Sequence, residues 1–325
     1  MKETSARGRD LPLDFDPETL PWIDQADADI EAYLAERVAK PERELRRAQL
    51  KAWREQGYLI IEDAVPSELI DAYLADVDSL CGQHGDYPLL VNCESRGVAP
   101  ICELTPDELE QPQLRFLDFH NASTAGKRLG LASPLVSFLG HALGDDVVAM
   151  QSLTFLCGTG QSLHQDFAYV VASIPSHLAA CWIALEDVHA DAGPVGYYPG
   201  SHRLPKFDFG NGLFLTEKSP RREGEFAEHL ESEAQKSGLS FERLMVKKGD
   251  VLIWHSSLAH AGTPIVNPAL TRKSVAFHYS TAAAYPHDRR RPGKKPSRFE
   301  LNGACCYGDD LRAQFENCFT ASGAW

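Results

Sequence analysis

Long apolar runs are missing from this 325-residue chain. No stretch approaches the roughly 20 consecutive apolar residues that a bilayer-crossing helix needs, so no membrane partner is expected. The opening residues, MKETSARGRDLPLDF, lack the apolar centre of a secretory signal. Paired cysteine spacing is missing as well. The eight cysteines are scattered with no CxxC among them, which suits free thiols in a reducing, cytoplasmic setting. Cys305 and Cys306 are neighbours, and bridging adjacent residues strains the peptide, so they read as two thiols. Positive charge is in deficit, with 32 Lys and Arg against 46 Asp and Glu and a formal net charge of −14. Such a surface repels a phosphate backbone, which argues against a nucleic-acid partner. No internal repeat or low-complexity tract interrupts the chain.

What remains is 43% hydrophobic and 24% charged, enough for one large core with an added helical layer. Residues 1–26 read as a polar arm anchored by Phe15 and Trp22. Helical spacing follows at 27–38, with Ile30, Tyr33, Leu34 and Val38 on one side. A second helix is expected at 42–56, with Leu45, Ala48, Ala52 and Trp53 inward, ending at Gly57. A strand at 58–61 precedes a third helix that Ser67 caps, and Ser133-Pro134 starts another, reaching Leu143. Residues 82–125 read as loops and short strands. From Val147 the pattern turns to β, with strands at 147–155, 162–171, 178–186, 196–198, 251–254 and 273–280. A charged helical insertion sits near 220–240. Helices first and antiparallel strands second predict an all-β core with α additions: a double-stranded β-helix (jelly roll, cupin-like) flanked by N-terminal helices. The expected units are an arm and helix over 1–40, the jelly roll over 41–284 and a C-terminal extension over 285–325.

One stretch carries chemistry. In Leu163-His-Gln-Asp-Phe-Ala-Tyr169, His164 and Asp166 are two apart, which on a strand places both side chains on one face. His260 lies in a comparable strand context much later. Two imidazoles and one carboxylate on one side of a metal form the facial triad of non-haem Fe(II) enzymes, with open positions opposite. A lone His-x-Asp is equally a hydrogen-bonded surface pair. His255, five residues before His260, is the rival ligand. Gly249-Asp250 reads as a turn feeding the buried strand Val-Leu-Ile-Trp-His255. Arg272 and Ser274 share a strand face and can together bind a carboxylate, by paired guanidinium hydrogen bonds and one hydroxyl.

The order of these pieces resembles a known family. From about residue 50 to 282 the chain is similar to the phytanoyl-CoA dioxygenase (PhyH-type) branch of the Fe(II)/2-oxoglutarate oxygenases. The shared series is Gly-Tyr-Leu-Ile-Ile, His-Gln-Asp, Cys-Trp-Ile-Ala-Leu, Pro-Gly-Ser-His, Gly-Asp-Val-Leu-Ile-Trp-His, then His and Arg. The resemblance implies that His164, Asp166 and His260 hold Fe(II). It implies that Arg272, with Ser274, clamps the distal carboxylate of 2-oxoglutarate, and that Trp182, Leu153, Gln151 and Arg115 lie near this cosubstrate. O2 would be the third reactant and a small organic molecule the substrate. The family often carries a polar residue where this chain has Gly262. It has a non-ligand histidine at the position of His255.

An intact Asp166 implies hydroxylation rather than halogenation, which needs a small residue there. Phe167 and Tyr169 read either as substrate-pocket residues or as core. His278 shares parity with Arg272 and Ser274, as a core histidine or as a support to the site. His202 reads as a turn residue. The basic residues Arg289, Arg290, Arg291, Lys294 and Lys295 form either a solvated loop or an attractor for an anionic substrate, and the 220–240 helix either a solvated face or a lid. The rival readings are a cupin-type metal enzyme that does not use 2-oxoglutarate and a binding jelly roll without chemistry. No motif sets an oligomeric state.

Overall fold

The computed structural model describes residues 14–82, 89–111, 113–170, 172–286 and 298–307. Helices lead, as the apolar periodicity requires. Helix α1 (Ile30–Arg37) starts at Asp29, whose carboxylate accepts from the Ala32 amide, a side-chain N-cap. Helix α2 (Arg43–Gln56) stops at Gly57, which takes φ +76°, open to glycine at no steric cost. Strand β1 (Tyr58–Ile61), helix α3 (Ser67–Gly82), strands β2 (Leu90–Cys93) and β3 (Gly97–Pro100), helix α4 (Pro106–Leu109), strand β4 (Arg115–Leu117) and helices α5 (Thr124–Gly130) and α6 (Ser133–Leu143) follow.

The inward stripe of α2 differs from the expected one. Arg46, Leu50 and Trp53 are buried, whereas Leu45 is 62% exposed and Ala48 is exposed. Arg46 enters the stripe because its guanidinium bonds Gln49 Oε1 at 2.8 Å and Ser137 Oγ at 2.8 Å. Two of its three guanidinium nitrogens are thus paired, and an arginine held in this way can bury its aliphatic stem against the core.

The rest of the chain is mainly β: β5 (Val147–Phe155), β6 (Leu178–Ala184), β7 (Val195–Tyr197), β8 (Glu242–Arg243), β9 (Val251–His255), β10 (His260–Gly262), β11 (Ser274–Thr281), β12 (Arg298–Leu301) and β13 (Ala304–Tyr307), with helix α7 (Glu223–Lys236) inserted after β7. The large sheet runs β1-β9-β6-β11-β5-β4-β2-β3, and a small sheet runs β10-β7-β8. The two sheets form a jelly roll. The C-terminal segment is built into it: β13 pairs parallel with β5, and β12 pairs with β13. The basic residues between Arg289 and Lys295 lie outside the described residues.

Period-2 alternation divides the large sheet. Cys181 and Ile183 of β6, Val251 and Ile253 of β9, and Val275 and Phe277 of β11 face the helices, where Ile23, Leu34, Leu50, Trp53, Tyr73 and Phe138 complete that core. The arm and α1 therefore share one core with the sheet. The alternate residues Ala180, Trp182, Leu252, Trp254 and Ala276 face the interior between the sheets, with Val195 and Tyr197 opposite. A β-bulge interrupts the β5–β11 register: His278 pairs with Gln151 but Tyr279 pairs with Ala149, which leaves Met150 over. Such a bulge bends the strand and re-aims side chains on either side. Among the described residues no helix is long and apolar enough to cross a membrane. The seven described cysteines are free, Cys305 and Cys306 included.

Gly130 ends α5 against the buried Phe277 ring; a Cβ there would stand 2.5 Å from Phe277 Cε1. Overpacking costs about 1–3 kcal/mol and outweighs a helix-propensity gain of at most about 1 kcal/mol. Gly130→Ala is expected to lower the urea midpoint, and adding Phe277→Leu should recover part of the loss.

Candidate active site and metal centre

The site begins with a short backbone splice. His164 and His260 exchange both main-chain hydrogen bonds, His164 N to His260 O at 3.0 Å and His260 N to His164 O at 2.9 Å. The expected strand over 162–171 is not formed. His164 is an isolated bridge residue, and Asp166–Ala168 is a 3-10 turn. The turn arises because the Tyr169 and Val170 amides both donate to Asp166 O, and Phe167 N donates to Ser256 O. Buried Gln165 anchors the turn through its amide, which donates to Ser257 O and Ser201 O. The two side chains therefore meet through a turn rather than through strand parity. His164 Nε2 lies 3.7 Å from Asp166 Oδ1, and His260 Nε2 lies 3.5 Å from the same oxygen.

The two imidazoles are held in one tautomer. His164 Nδ1 lies 2.8 Å from Ser162 O and His260 Nδ1 lies 3.0 Å from Leu258 O. A carbonyl only accepts, so each Nδ1 carries the proton and each Nε2 keeps its lone pair. Second-sphere carbonyls of this kind orient metal-binding histidines. Burial, and then the neighbouring His260, bring the pKa of His164 down to about 3, so its lone pair is available at neutral pH. The candidate ligand atoms of His164, Asp166 and His260 all lie within 4.8 Å of one another, and no other such cluster exists among the described residues.

Asp166 is buried, which by itself raises a carboxyl pKa. Here attraction to the neighbouring His260, and then to His278, reverses that and holds it below the usual carboxylate range. The Trp254 indole N–H donates to Asp166 Oδ2 at 2.8 Å, and His278 Nε2 stands 3.6 Å from that oxygen.

A cavity of about 280 Å³ opens beside the triad and reaches Arg272. Arg272 sits in the lead-in to β11 rather than on the strand, and it is 3% exposed. One of its nitrogens donates to Gly193 O at 2.8 Å, and its planar head lies 5.6 Å from the Trp182 ring centre. Burial, followed by the charge of Arg115, lowers its pKa to about 10. No carboxylate pairs with it among the described residues. Arg272 Nε, Ser274 Oγ and Trp182 Nε1 are all buried without a hydrogen-bond partner. Buried polar groups are rarely left so, and a buried cation without a counterion is costly. These groups fit a carboxylate, and the N,N,O donor set fits ferrous iron.

Of the residues singled out in the sequence, His164, Asp166, His260, Arg272, Trp182, Gln151, Leu153, Tyr169 and Gly262 line the cavity. Arg115 and Ser274 are not among the lining residues, but each pairs with Phe155, which is. Phe167 is turned away. It is 1% exposed and packs edge-on against Phe15 at 5.2 Å. Tyr169, 39% exposed, stays at the mouth. Gly262 has a steric reason: a Cβ there would stand 2.8 Å from the Gly160 and Gln161 amides. His255 is elsewhere. Its Nδ1 accepts from Ser257 N and its Nε2 lies 3.4 Å from Asp24. His202 lies in a short turn with Nε2 3.3 Å from Arg54 O. The sequence reading missed Trp254, Gln161 and Thr159. The alternation in Val-Leu-Ile-Trp-His255 was the available signal for Trp254, since Leu252 and Trp254 share the inner face.

Residues 53–274 match the phytanoyl-CoA dioxygenase (PhyH) family. The peroxisomal phytanoyl-CoA dioxygenase of Homo sapiens is 22% identical over 270 residues, covering 78% of this chain and 74% of the human one. The Mus musculus protein is 22% identical over 243 residues, covering 72% and 68%. Among solved structures, EctD from S. alaskensis, crystallised with 2-oxoglutarate and 5-hydroxyectoine, matches with TM-score 0.53 at 19% identity, covering 72% of this chain and 75% of EctD. The α-ketoglutarate-dependent epimerase SnoN from nogalamycin biosynthesis matches with TM-score 0.56 at 18% identity, covering 82% and 97%. At these identities the structural likeness speaks for a common fold.

A dicarboxylate that neutralises Arg272 is expected to stabilise the fold by mass action. With 2-oxoglutarate at a hundredfold its Kd, the gain is about 2.7 kcal/mol, read as a rise in melting temperature. Arg272→Ala should abolish the rise; a rise that persists in that variant places the anion elsewhere.

Proposed function

We propose, for a chain that belongs to the phytanoyl-CoA dioxygenase family and is thus a non-haem iron, 2-oxoglutarate-dependent oxygenase, that its reaction is hydroxylation of an unactivated C–H bond in a small organic molecule. The reading rests on one juxtaposition: an Nε2, Nε2, Oδ1 cluster with its carboxylate intact, beside a cavity that ends on an arginine without a counterion.

His164, His260 and Asp166 would hold Fe(II). When bound, iron would supply, with 2-oxoglutarate and dioxygen, an oxidant able to take hydrogen from an unactivated carbon, one oxygen atom going to succinate as CO2 leaves and the other to the substrate. The protein's own part is placement and dryness. Arg272 would anchor the far carboxylate by paired hydrogen bonds, with Ser274 and Trp182 adding donors that are otherwise unpaired. Leu153, Phe155, Val195 and Ala276 form apolar wall of the cavity and limit the room for water. Gln161, Thr159 and Tyr169 line the same cavity with polar atoms, which suit the orientation of a polar substrate. Asp166 occupies the third protein position, which leaves no space there for a halide. The Arg272 end favours a 2-oxoglutarate enzyme over a cupin that does without it.

Succinate formation with candidate small molecules should need ferrous iron and should fall to the iron-free level in His164→Ala. Under ¹⁸O-labelled dioxygen the product should gain one labelled oxygen atom. A product that has lost two hydrogens, or has only inverted a stereocentre, rules out hydroxylation and retains the cofactor assignment.

A further inference from the structure

Three histidines face the Asp166 carboxylate, and hydrogen bonding divides them into two kinds. His164 and His260 give their Nδ1 protons to carbonyls and present unprotonated Nε2 atoms to Oδ1, that of His164 also accepting from Gln161 Nε2 at 3.2 Å. His278 is arranged the other way. Its Nδ1 lies 3.1 Å from Gln151 Nε2. An amide nitrogen only donates, so Nδ1 accepts and the His278 proton sits on Nε2. That N–H faces Oδ2 at 3.6 Å, the oxygen that already accepts from Trp254 Nε1. A protonated Nε2 has no lone pair for a metal.

The surrounding fold sets this up. The β-bulge falls between His278 and Tyr279, and immediately before it His278 is paired with Gln151 across the strands. The extra residue on β5 turns Gln151 into the interior while Ala149 faces the helical side. His278 is 5% exposed and lines the cavity. A purely apolar packing role would not need its ring nitrogens matched to two opposite partners.

We propose that His278 is a positioning residue that, with Trp254, reserves Oδ2 of Asp166, so that the carboxylate offers the metal Oδ1 alone. This rests on the ligand assignment of the proposed function. One-point attachment matters because a facial triad works by leaving positions open. If Oδ2 swung inward, the carboxylate would take a second position, one that the cosubstrate or dioxygen needs. Gln151 acts one step back, by holding the tautomer in which Nε2 donates.

The test compares His278→Leu, which removes the donor, with His278→Gln, which can return an N–H to Oδ2. Co(II) alone is the first probe, because its visible absorption weakens as coordination number rises. The wild type should show a Co(II) spectrum that is lost in His164→Ala. His278→Leu should bind Co(II) with a weaker, shifted spectrum, and in the Fe(II) form its 2-oxoglutarate charge-transfer band should need about tenfold more cosubstrate, within the range seen for outer-shell losses. His278→Gln should restore both signals towards wild type. A His278→Leu spectrum identical to wild type, with only a lowered melting temperature, overturns the proposal and leaves the ligand assignment standing. A wild-type spectrum that survives His164→Ala overturns the ligand assignment itself.

Discussion

The two main-chain hydrogen bonds between His164 and His260 are the constraint on which the rest depends. They join the turn that follows β5 to β10 of the small sheet, and so fix two imidazoles side by side, with ring centres 4.2 Å apart. Neither histidine gains this position from its own neighbours in sequence. Backbone hydrogen bonds in a dry interior are hard to exchange for water, which makes the splice stiff. Stiffness matters where ligand atoms must converge on one ion to within a few tenths of an ångström.

Around that splice the charges are arranged asymmetrically. Among the described residues Asp166 is the only carboxylate lining the cavity and Arg272 the only guanidinium, and they serve opposite ends. Asp166 remains ionised because imidazoles and an indole N–H surround it. Arg272 has aromatic faces nearby, and one backbone carbonyl accepts from it, but no anion is within the protein's own reach among the described residues. The fold thus carries a desolvated cation whose cost falls when a carboxylate arrives. Burying such a charge unpaired opposes stability, so the site trades some stability of the free protein for cosubstrate binding.

Much of the architecture was legible in the chain. Helix α6 and strand β5 have the bounds that the Ser-Pro start, Gly144 and the β-rich run imply. The α7 insertion was readable from its charged, helix-favouring run, and the structure adds that Phe226, Leu230 and Ala234 are its buried residues. The triad and Arg272 were readable because each sits in a short motif of fixed order. Three things were not. The 162–171 segment carries strand-like composition but turns, because Ser201, Ser256 and Ser257 offer it carbonyl acceptors that only the folded chain brings near. Leu45 looked buried because hydrophobicity ranks it above Arg46, yet Gln49 one turn on, and Ser137 from another helix that no wheel of α2 includes, hold two nitrogens of the arginine head. Phe167 follows the metal motif, but its ring packs against Phe15 of the arm, a contact that only the folded chain makes.

Residue identity and order thus determined the fold class, the donor types and the presence of an arginine for an anion, since these follow from local periodicity and the chemistry of single side chains. Tertiary structure decided which histidine is which. His164, His255, His260 and His278 have the same side chain, and only long-range partners separate them: carbonyls at two, a backbone amide and Asp24 at the third, Gln151 across a β-bulge at the last. An imidazole can donate or accept at either nitrogen, and the choice belongs to whatever the fold places against it.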